Sequence, residues 1–233
     1  AKRHGEALWD EYVETIKSGV QCDLLFGLSD AWNDPPTAGG IGRTNCIPLG
    51  DHSDSEGSAL FAVLCRANHS CRPNARYIWR HDLQRELLLA VRDLAPGDEG
   101  TVTYGPGLEG RAHRQEALRR GFRFECKCEL CASTDARLDQ TIQRISKLDT
   151  KIPLLAQIHP RKAIQMAHEA IELCKEVGMG SAYYVKRFWH DAHQIAAQID
   201  EPAEAEHFYN NAYGCALLCE GGKSPEGVRL RRY

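Results

Sequence analysis

The feature that most constrains the fold of this chain is a group of three cysteines, Cys126, Cys128 and Cys131, within six consecutive residues. Thiolates so close in sequence can bind one metal ion, but structural zinc needs four ligands in a tetrahedron. Cys71 is the best remote donor, because it lies among polar turn residues whereas the cysteines after position 131 lie in helical patterns typical of buried positions. The sequence therefore predicts one zinc ion that ties together segments more than fifty residues apart.

A zinc ion with four thiolate ligands has no open coordination position, so we expect it to be structural rather than catalytic. Its place in the sequence has a geometric consequence, because Phe124 precedes the cluster by two residues and His69 precedes Cys71 by two residues. The metal would bring the Phe124 ring beside the turn at Asn68–His69 and close a pocket. The surrounding stretch, 67–74, is polar and rich in turn residues, as functional loops are.

The overall composition narrows the class of protein. Of 233 residues 29 are basic and 32 acidic, so the chain lacks the positive charge of a dedicated nucleic-acid-binding protein, and we expect no direct nucleic-acid binding. No apolar run approaches the length of a membrane span, and the N-terminus leads into no signal-peptide core. The uneven spacing of the ten cysteines favours metal binding over a secreted disulfide scaffold. We expect an intracellular protein, in the nucleus, the cytoplasm or both, with no membrane partner.

Before the cysteine cluster, short apolar or β-branched runs bounded by turn residues predict a fold of short strands. We expect these strands around residues 44–49, 59–64, 75–79, 86–91 and 101–104. The run at 86–91 has the pattern of a buried strand, and 81–84 is a natural hairpin connection. Helical periodicity predicts an amphipathic helix over 3–17 and a short charged helix over 111–120, closed by Gly121.

Beyond Cys131 the pattern is helical throughout. We predict one helix over 161–177, a second from Ser181, and a third near Pro202 with Asp200 as its candidate cap. The spacing of small and aromatic residues is close to that of the helix pairs in tetratricopeptide arrays. Two alternatives stay open for this region: a helical cap packed on the first part of the chain, or a groove that binds peptides.

Four motifs follow one another in the order and spacing of a known family. They are Asn68-His69-Ser70-Cys71-x-Pro73-Asn74, Gly97-Asp98-Glu99-x-Thr101-Val102-x-Tyr104, Arg111-x-x-Arg114-Gln115-x-x-Leu118 and Phe124-x-Cys126-x-Cys128-x-x-Cys131. From about Gly40 onward, the chain resembles the SET-domain protein lysine methyltransferases, and most of all the SMYD-type branch and its fungal relatives. The fold implied is α+β: a SET-type β-fold of short strands with a post-SET zinc site over residues 1–133, the C-terminal portion of a SET domain, followed by an all-helical, TPR-like region over 134–233.

The resemblance implies roles for individual residues. Asn68 and His69 would line the S-adenosylmethionine pocket, and Asn45 matches a further asparagine that contacts this cofactor. Phe124 matches the aromatic residue that stacks on the adenine ring. Tyr104 matches the catalytic tyrosine, which also borders the cofactor.

The implied activity is methyl transfer from S-adenosylmethionine to the side-chain amine of a lysine in a protein substrate, histone or non-histone, by a monomeric enzyme. Cys71, Cys126, Cys128 and Cys131 match the post-SET zinc ligands, in agreement with the ligand count above. A zinc-stabilised nucleic-acid-binding module is a third reading, which the charge balance disfavours.

The sequence also departs from the family pattern. No Gly-x-Gly segment stands upstream of Asn45, and Gly39–Gly42, at the end of a predicted loop, is in the wrong place for one. There is no MYND zinc finger, Cys65 stands where a serine is usual, and Gly100 replaces an apolar residue. We therefore expect either a chain that lacks an N-terminal part or an incomplete cofactor site. The alternative function is a catalytically inactive SET-fold interaction module whose helical tail binds peptides.

Overall fold

A computed structural model describes residues 27–49, 57–80, 82–105, 107–221 and 228 of the chain. The helix predicted over 3–17 lies outside these residues. The strands of the described part are β1 (Ile47–Pro48), β2 (Ser58–Ala59), β3 (Asn68–His69), β4 (Ala75–Arg80), β5 (Arg85–Ala90) and β6 (Thr101–Val102). Its α-helices are α1 (Ala38–Asn45), α2 (Arg111–Phe122), α3 (Glu129–Ala132), α4 (Ala136–Ala156), α5 (Pro160–Glu176), α6 (Ala182–Gln198) and α7 (Pro202–Glu220). The fold is α+β, as predicted.

The strands form three two-stranded ribbons within the described residues. β1 pairs with β2 and β4 with β5, both antiparallel. The β4–β5 register runs from Ala75 opposite Ala90 to Arg80 opposite Arg85, which confirms the hairpin predicted around 81–84. β3 and β6 are parallel, and this pair matters most to the functional site because it joins two distant motifs of the sequence.

Strand β5 is not the buried strand that the sequence predicted. Its buried residue is Glu86, which is 7% exposed, whereas the leucines that follow are only partly buried. Among the described residues β5 pairs with β4 alone. An apolar run therefore identified the strand but did not show whether both of its faces are covered.

The prediction of a loop that ends in Gly39–Gly42 is wrong, because these residues lie in helix α1. Thr37 caps this helix, and its Oγ1 accepts a hydrogen bond from the Gly40 N–H at 3.0 Å. A Cβ atom at Gly40 would lie 1.8 Å from a carboxylate oxygen of Asp30. The glycine therefore allows the preceding loop to pack directly on the helix backbone.

Other predicted boundaries shift as well. The strand expected over 44–49 is reduced to β1, and the one expected over 59–64 gives way after Ala59 to turns and a single 3₁₀ turn at Leu64–Arg66. β6 ends at Val102, before Tyr104. Helix α2 continues through Gly121 and ends where Arg123 adopts the left-handed conformation, with φ 59°.

The three helices predicted after residue 160 are confirmed as α5, α6 and α7, and α4 precedes them. Successive helices pack against one another and are joined by connections of three to five residues. Asp200 is not the cap of α7: that position is held by Glu201, and Asp200 has a φ of 58°. The likeness to tetratricopeptide repeats and the boundary between 133 and 134 stay predictions.

A single hydrophobic cluster connects the helical region to the cysteine cluster. It contains Cys71, Cys126 and Cys131 together with core residues of the long helices, such as Ile145 and Phe188. Of the two alternatives for the C-terminal region, this arrangement favours a helical cap packed on the first part of the chain over a groove that binds peptides. Among the described helices none is both long and apolar enough to cross a membrane.

We expect opposite effects on stability from alanine at two glycines. Gly178 has a φ of +69°, and a Cβ there would lie 2.6 Å from Nη1 of Arg72, so Gly178→Ala should lower the free energy of unfolding by about 1–2 kcal/mol. Gly214 lies inside α7, where an added Cβ would have open space around it, so Gly214→Ala should raise it by about 0.5–1 kcal/mol. Urea unfolding of both variants measures the two changes. Equal or greater stability of Gly178→Ala would contradict the backbone assignment.

Candidate functional site

The loop between β3 and β4 is held against the segment before β6 by one buried asparagine. Asn74 is 4% exposed, and its Oδ1 accepts a hydrogen bond from the Thr101 N–H at 2.7 Å. Its Nδ2 donates to the Glu99 carbonyl at 2.8 Å. Together with the β3–β6 pairing, these bonds fix the first two sequence motifs side by side, as a buried amide with both ends satisfied can do.

Tyr104 is joined to the β3 segment at both its backbone and its side chain. Its hydroxyl donates to the Ala67 carbonyl at 2.6 Å, and its backbone N–H donates to Nδ1 of His69 at 3.0 Å. Burial lowers the pKa of His69 to about 4, so the imidazole is neutral near pH 7. With Nδ1 accepting, the proton lies on Nε2, which faces the sulfur of Cys71 at 3.2 Å.

Aromatic rings surround Tyr104. Phe122 lies 4.8 Å from it between ring centroids, His69 5.3 Å and Phe124 6.4 Å. Phe124 also lies 6.0 Å from His69. Phe124 thus lies beside the β3 turn, as predicted from the cysteine spacing. Phe122 was not predicted as a site residue, although it stands two positions before Phe124 and faces the same tyrosine.

The two asparagines assigned to the cofactor differ in their present contacts. Asn68 is exposed, and its amide nitrogen donates to Oε1 of Glu99 at 2.6 Å. The amide nitrogen of Asn45 donates to the Ser29 and Ile41 carbonyls at 2.6 and 2.8 Å. The structure therefore brings His69, Tyr104 and Phe124 together. The Asn68 side chain bonds Glu99 on the neighbouring segment, and the Asn45 side chain has its hydrogen bonds with the α1 region.

The four predicted zinc ligands converge. The sulfur atoms of Cys71, Cys126, Cys128 and Cys131 all lie within 4.8 Å of one another. Cys71 lies 3.5 Å from Cys131 and 3.9 Å from Cys126, sulfur to sulfur. A tetrahedron with zinc–sulfur bonds of about 2.3 Å has edges of about 3.8 Å, so the group has the size that zinc requires.

Arg114 supplies a buried positive charge next to this cluster. Its side chain is 1% exposed, and its Nη2 lies 3.8 Å from the sulfur of Cys131. Four thiolates around a divalent ion would carry two net negative charges, and the neighbouring guanidinium would offset one of them. Arg114 also donates to the Glu109 carbonyl and lies 3.7 Å from Oδ1 of Asp139, so α2 and α4 both contribute to its position.

Gln115 fixes the backbone of the metal loop. Its Nε2 donates to the Cys126 carbonyl at 2.7 Å, and its Oε1 accepts from the Cys126 N–H at 3.0 Å. Gln115, in the motif that begins at Arg111, therefore fixes the backbone of the motif that contains the three cysteines. The sequence alone assigned no role to Arg114 or Gln115. One signal was present, because Arg114 and Leu118 stand four residues apart and so share one helix face, and both are buried in the structure. This spacing could have indicated that Arg114 faces the protein interior.

Comparisons with known proteins agree with this geometry. The SET domain family matches residues 7–105. The chain is 26% identical over 185 residues to histone-lysine N-methyltransferase set5 of Schizosaccharomyces pombe, covering 77% of this chain and 57% of that protein. It is 24% identical over 200 residues to histone-lysine N-methyltransferase Smyd1 of Mus musculus, covering 72% of this chain and 41% of the relative.

A shorter match, 35% identical over 83 residues, relates it to histone-lysine N-methyltransferase SMYD3 of Homo sapiens, with 36% of this chain and 19% of that protein covered. The chain thus spans less than two thirds of the length of these curated relatives. The family match and the relatives lead to one conclusion: residues 7–105 are similar to the SET domain family, and the chain is similar to the Set5 and SMYD lysine methyltransferases.

Proposed function

We propose that this chain transfers a methyl group from S-adenosylmethionine to the side-chain amine of a lysine in a protein substrate. The observation that carries the proposal is the placement of the Tyr104 hydroxyl on the Ala67 carbonyl, with the rings of His69 and Phe124 beside it. The names of the relatives support protein lysine methylation in general. A histone or another protein is the substrate in this account, and nucleic acid is not.

The residues present suit this cofactor. Phe124 is partly exposed and offers a ring face for stacking on adenine, and Asn68 offers an exposed amide for polar contacts. His69 is kept neutral by burial, so it does not repel a cationic ligand. When bound, S-adenosylmethionine supplies a methyl group on a sulfonium, whose carbon–sulfur electron pair stays on sulfur as the amine lone pair bonds the methyl carbon.

The protein's task in such a displacement is alignment rather than proton transfer. The Tyr104 hydroxyl and the Ala67 carbonyl place two oxygen atoms 2.6 Å apart at the aromatic cluster. Oxygen atoms with partial negative charge favour the developing positive charge of the amine and orient its lone pair. Burial also raises the pKa of Tyr104, so the hydroxyl stays protonated and keeps donating to Ala67.

We further propose that the four-cysteine cluster binds one zinc ion with a structural role. Its spacing fits a tetrahedron, its ligands leave no open position, and Arg114 offsets its charge. The zinc would hold the segment with Phe124 next to β3. In this role the metal acts on the cofactor pocket through the fold and takes no part in the reaction.

One observation favours the alternative of a catalytically inactive interaction module. The amide donors of Asn45 are occupied by two backbone carbonyls, so this residue offers no free N–H to a cofactor in the present arrangement. Binding of S-adenosylmethionine separates the two functions, because only the enzyme requires it.

We expect saturable binding of S-adenosylmethionine, measured by calorimetry, and an affinity about tenfold lower in Asn68→Ala, because an amide contact to a charged ligand is lost.

Tyr104→Phe should keep most of the affinity and reduce methyl transfer to a protein substrate about a hundredfold, because the amine loses its alignment. Tyr213→Phe, in α7, is the matched control and should retain both. Absence of binding by the unmodified chain would rule out the enzyme and favour the interaction module.

We expect one zinc ion per chain by elemental analysis. Cys71→Ser should lower zinc occupancy and thermal stability together, because three thiolates remain and the loop that carries His69 is released. Cys215→Ala, on α7 and outside the cluster, should keep full occupancy. Full zinc occupancy and unchanged stability in Cys71→Ser would show that Cys71 is not a ligand.

A further inference from the structure

A cavity of about 250 Å³ lies between the loop after Cys71, the start of α3 and the α5–α6 connection. Its wall includes Arg72, Arg92, Glu129, Gly178, Ser181 and Tyr184. None of the residues that we place in the methyl-transfer site belongs to this wall. The volume is below the range of about 300–1,000 Å³ typical of sites for drug-sized ligands, so the cavity fits a small group better than a whole cofactor.

Two hydroxyl groups of this wall are buried without a partner. Tyr184 is 6% exposed, and its hydroxyl makes no hydrogen bond with any described residue. The Ser181 hydroxyl is also buried and unpartnered within the described structure. A buried polar group without a hydrogen bond lowers stability, and a hydrogen bond from a bound ligand would remove this cost at both residues.

The same cavity lies at the positive end of a long helix. Ser181 is the N-cap residue of α6, a helix of 17 residues, yet its side chain makes no capping hydrogen bond. The first turn of α6 contains no acidic residue. The free N–H groups and the dipole at this end therefore lack a compensating negative charge from the helix itself, and they favour an anion.

Two arginines add positive charge to the wall. Arg72 is held in place because its Nη1 donates to the Val177 carbonyl at 3.2 Å and its Nη2 donates to the Glu129 carboxylate. The guanidinium lies where a side chain at Gly178 would be, since a Cβ there would be 2.6 Å from Nη1. Arg92 is exposed and has no ion-pair partner among the described residues. Glu129 is the one acidic residue in this part of the wall.

We propose that this cavity binds an oxyanion, a carboxylate or a phosphate, through the Tyr184 and Ser181 hydroxyls, the N-terminus of α6 and the two arginines. Apart from Glu129, the polar groups of the wall are hydrogen-bond donors or can serve as donors, which matches a ligand that only accepts. The oxyanion is either a free ion or an acidic or phosphorylated side chain of a protein bound at this face. The site is independent of methyl transfer, because no group of that reaction takes part in it.

Inorganic phosphate is the probe, titrated calorimetrically into the whole chain at constant ionic strength with chloride as the compensating ion. We expect saturable binding and an affinity about tenfold lower in Tyr184→Phe, which removes one hydrogen bond to a charged ligand. Without phosphate, Tyr184→Phe should be as stable as the unmodified chain or more stable, since it loses only an unpartnered hydroxyl. Tyr183→Phe, the same change at the neighbouring residue outside the wall, should leave phosphate binding unchanged.

Two further variants test the charges in opposite directions. Glu129→Gln should tighten phosphate binding, because it removes the competing carboxylate beside Arg72, whereas Arg92→Gln should weaken it and Arg92→Lys should not.

A short peptide with one phosphoserine distinguishes the sources: tighter binding than inorganic phosphate indicates a protein side chain, and weaker binding indicates a free ion. Absence of saturable phosphate binding, or equal binding by Tyr184→Phe and Ser181→Ala, would overturn the proposal.

Discussion

The structure of the functional region depends on the convergence of four cysteine sulfurs from two distant parts of the chain. Cys71 comes from the loop after β3, and its three partners come from the segment after α2. Four thiolates repel one another unless a cation lies among them, and the zinc ion that we propose, together with a neighbouring positive charge, would offset this repulsion. Buried Arg114 supplies the charge, and Gln115 fixes the loop backbone. The same convergence brings two rings to Tyr104, because His69 and Phe124 each stand two residues before a cysteine of the cluster.

His69 links the metal cluster to the proposed reaction site. One ring nitrogen accepts from the backbone of Tyr104, and the other faces the sulfur of Cys71. One imidazole thus contacts both the cysteine cluster and the residue proposed to orient the amine. The helical region also packs against the cysteine cluster, because the core of the helices is continuous with the buried cysteines. Tyr104, Phe122 and Phe124 also pack against this shared core, so the helices support the position of the aromatic rings.

The sequence was most informative where chemistry restricts the choice of residue. The convergence of the four cysteines and the place of Phe124 beside β3 were predictable from ligand count, spacing and family motifs. The burial of individual residues was not predictable, because an apolar run such as 86–91 shows that a strand exists but not which of its faces is covered. The helix at Gly39–Gly42 was missed because glycine usually marks a turn, whereas Gly40 is required for the close approach of Asp30. The buried role of Arg114 depends on charges brought together only by the fold.

We propose that zinc binding by the cysteine cluster holds the cofactor pocket together. This proposal is tested most directly by measuring the affinity for S-adenosylmethionine in the zinc-loaded chain, after removal of zinc by a chelator, and after its return in equimolar amount. We expect affinity to be lost with the metal and restored with it, because His69 and Phe124 lose their fixed positions while the zinc is absent. Unchanged affinity in the zinc-free chain would show that the pocket forms without the metal.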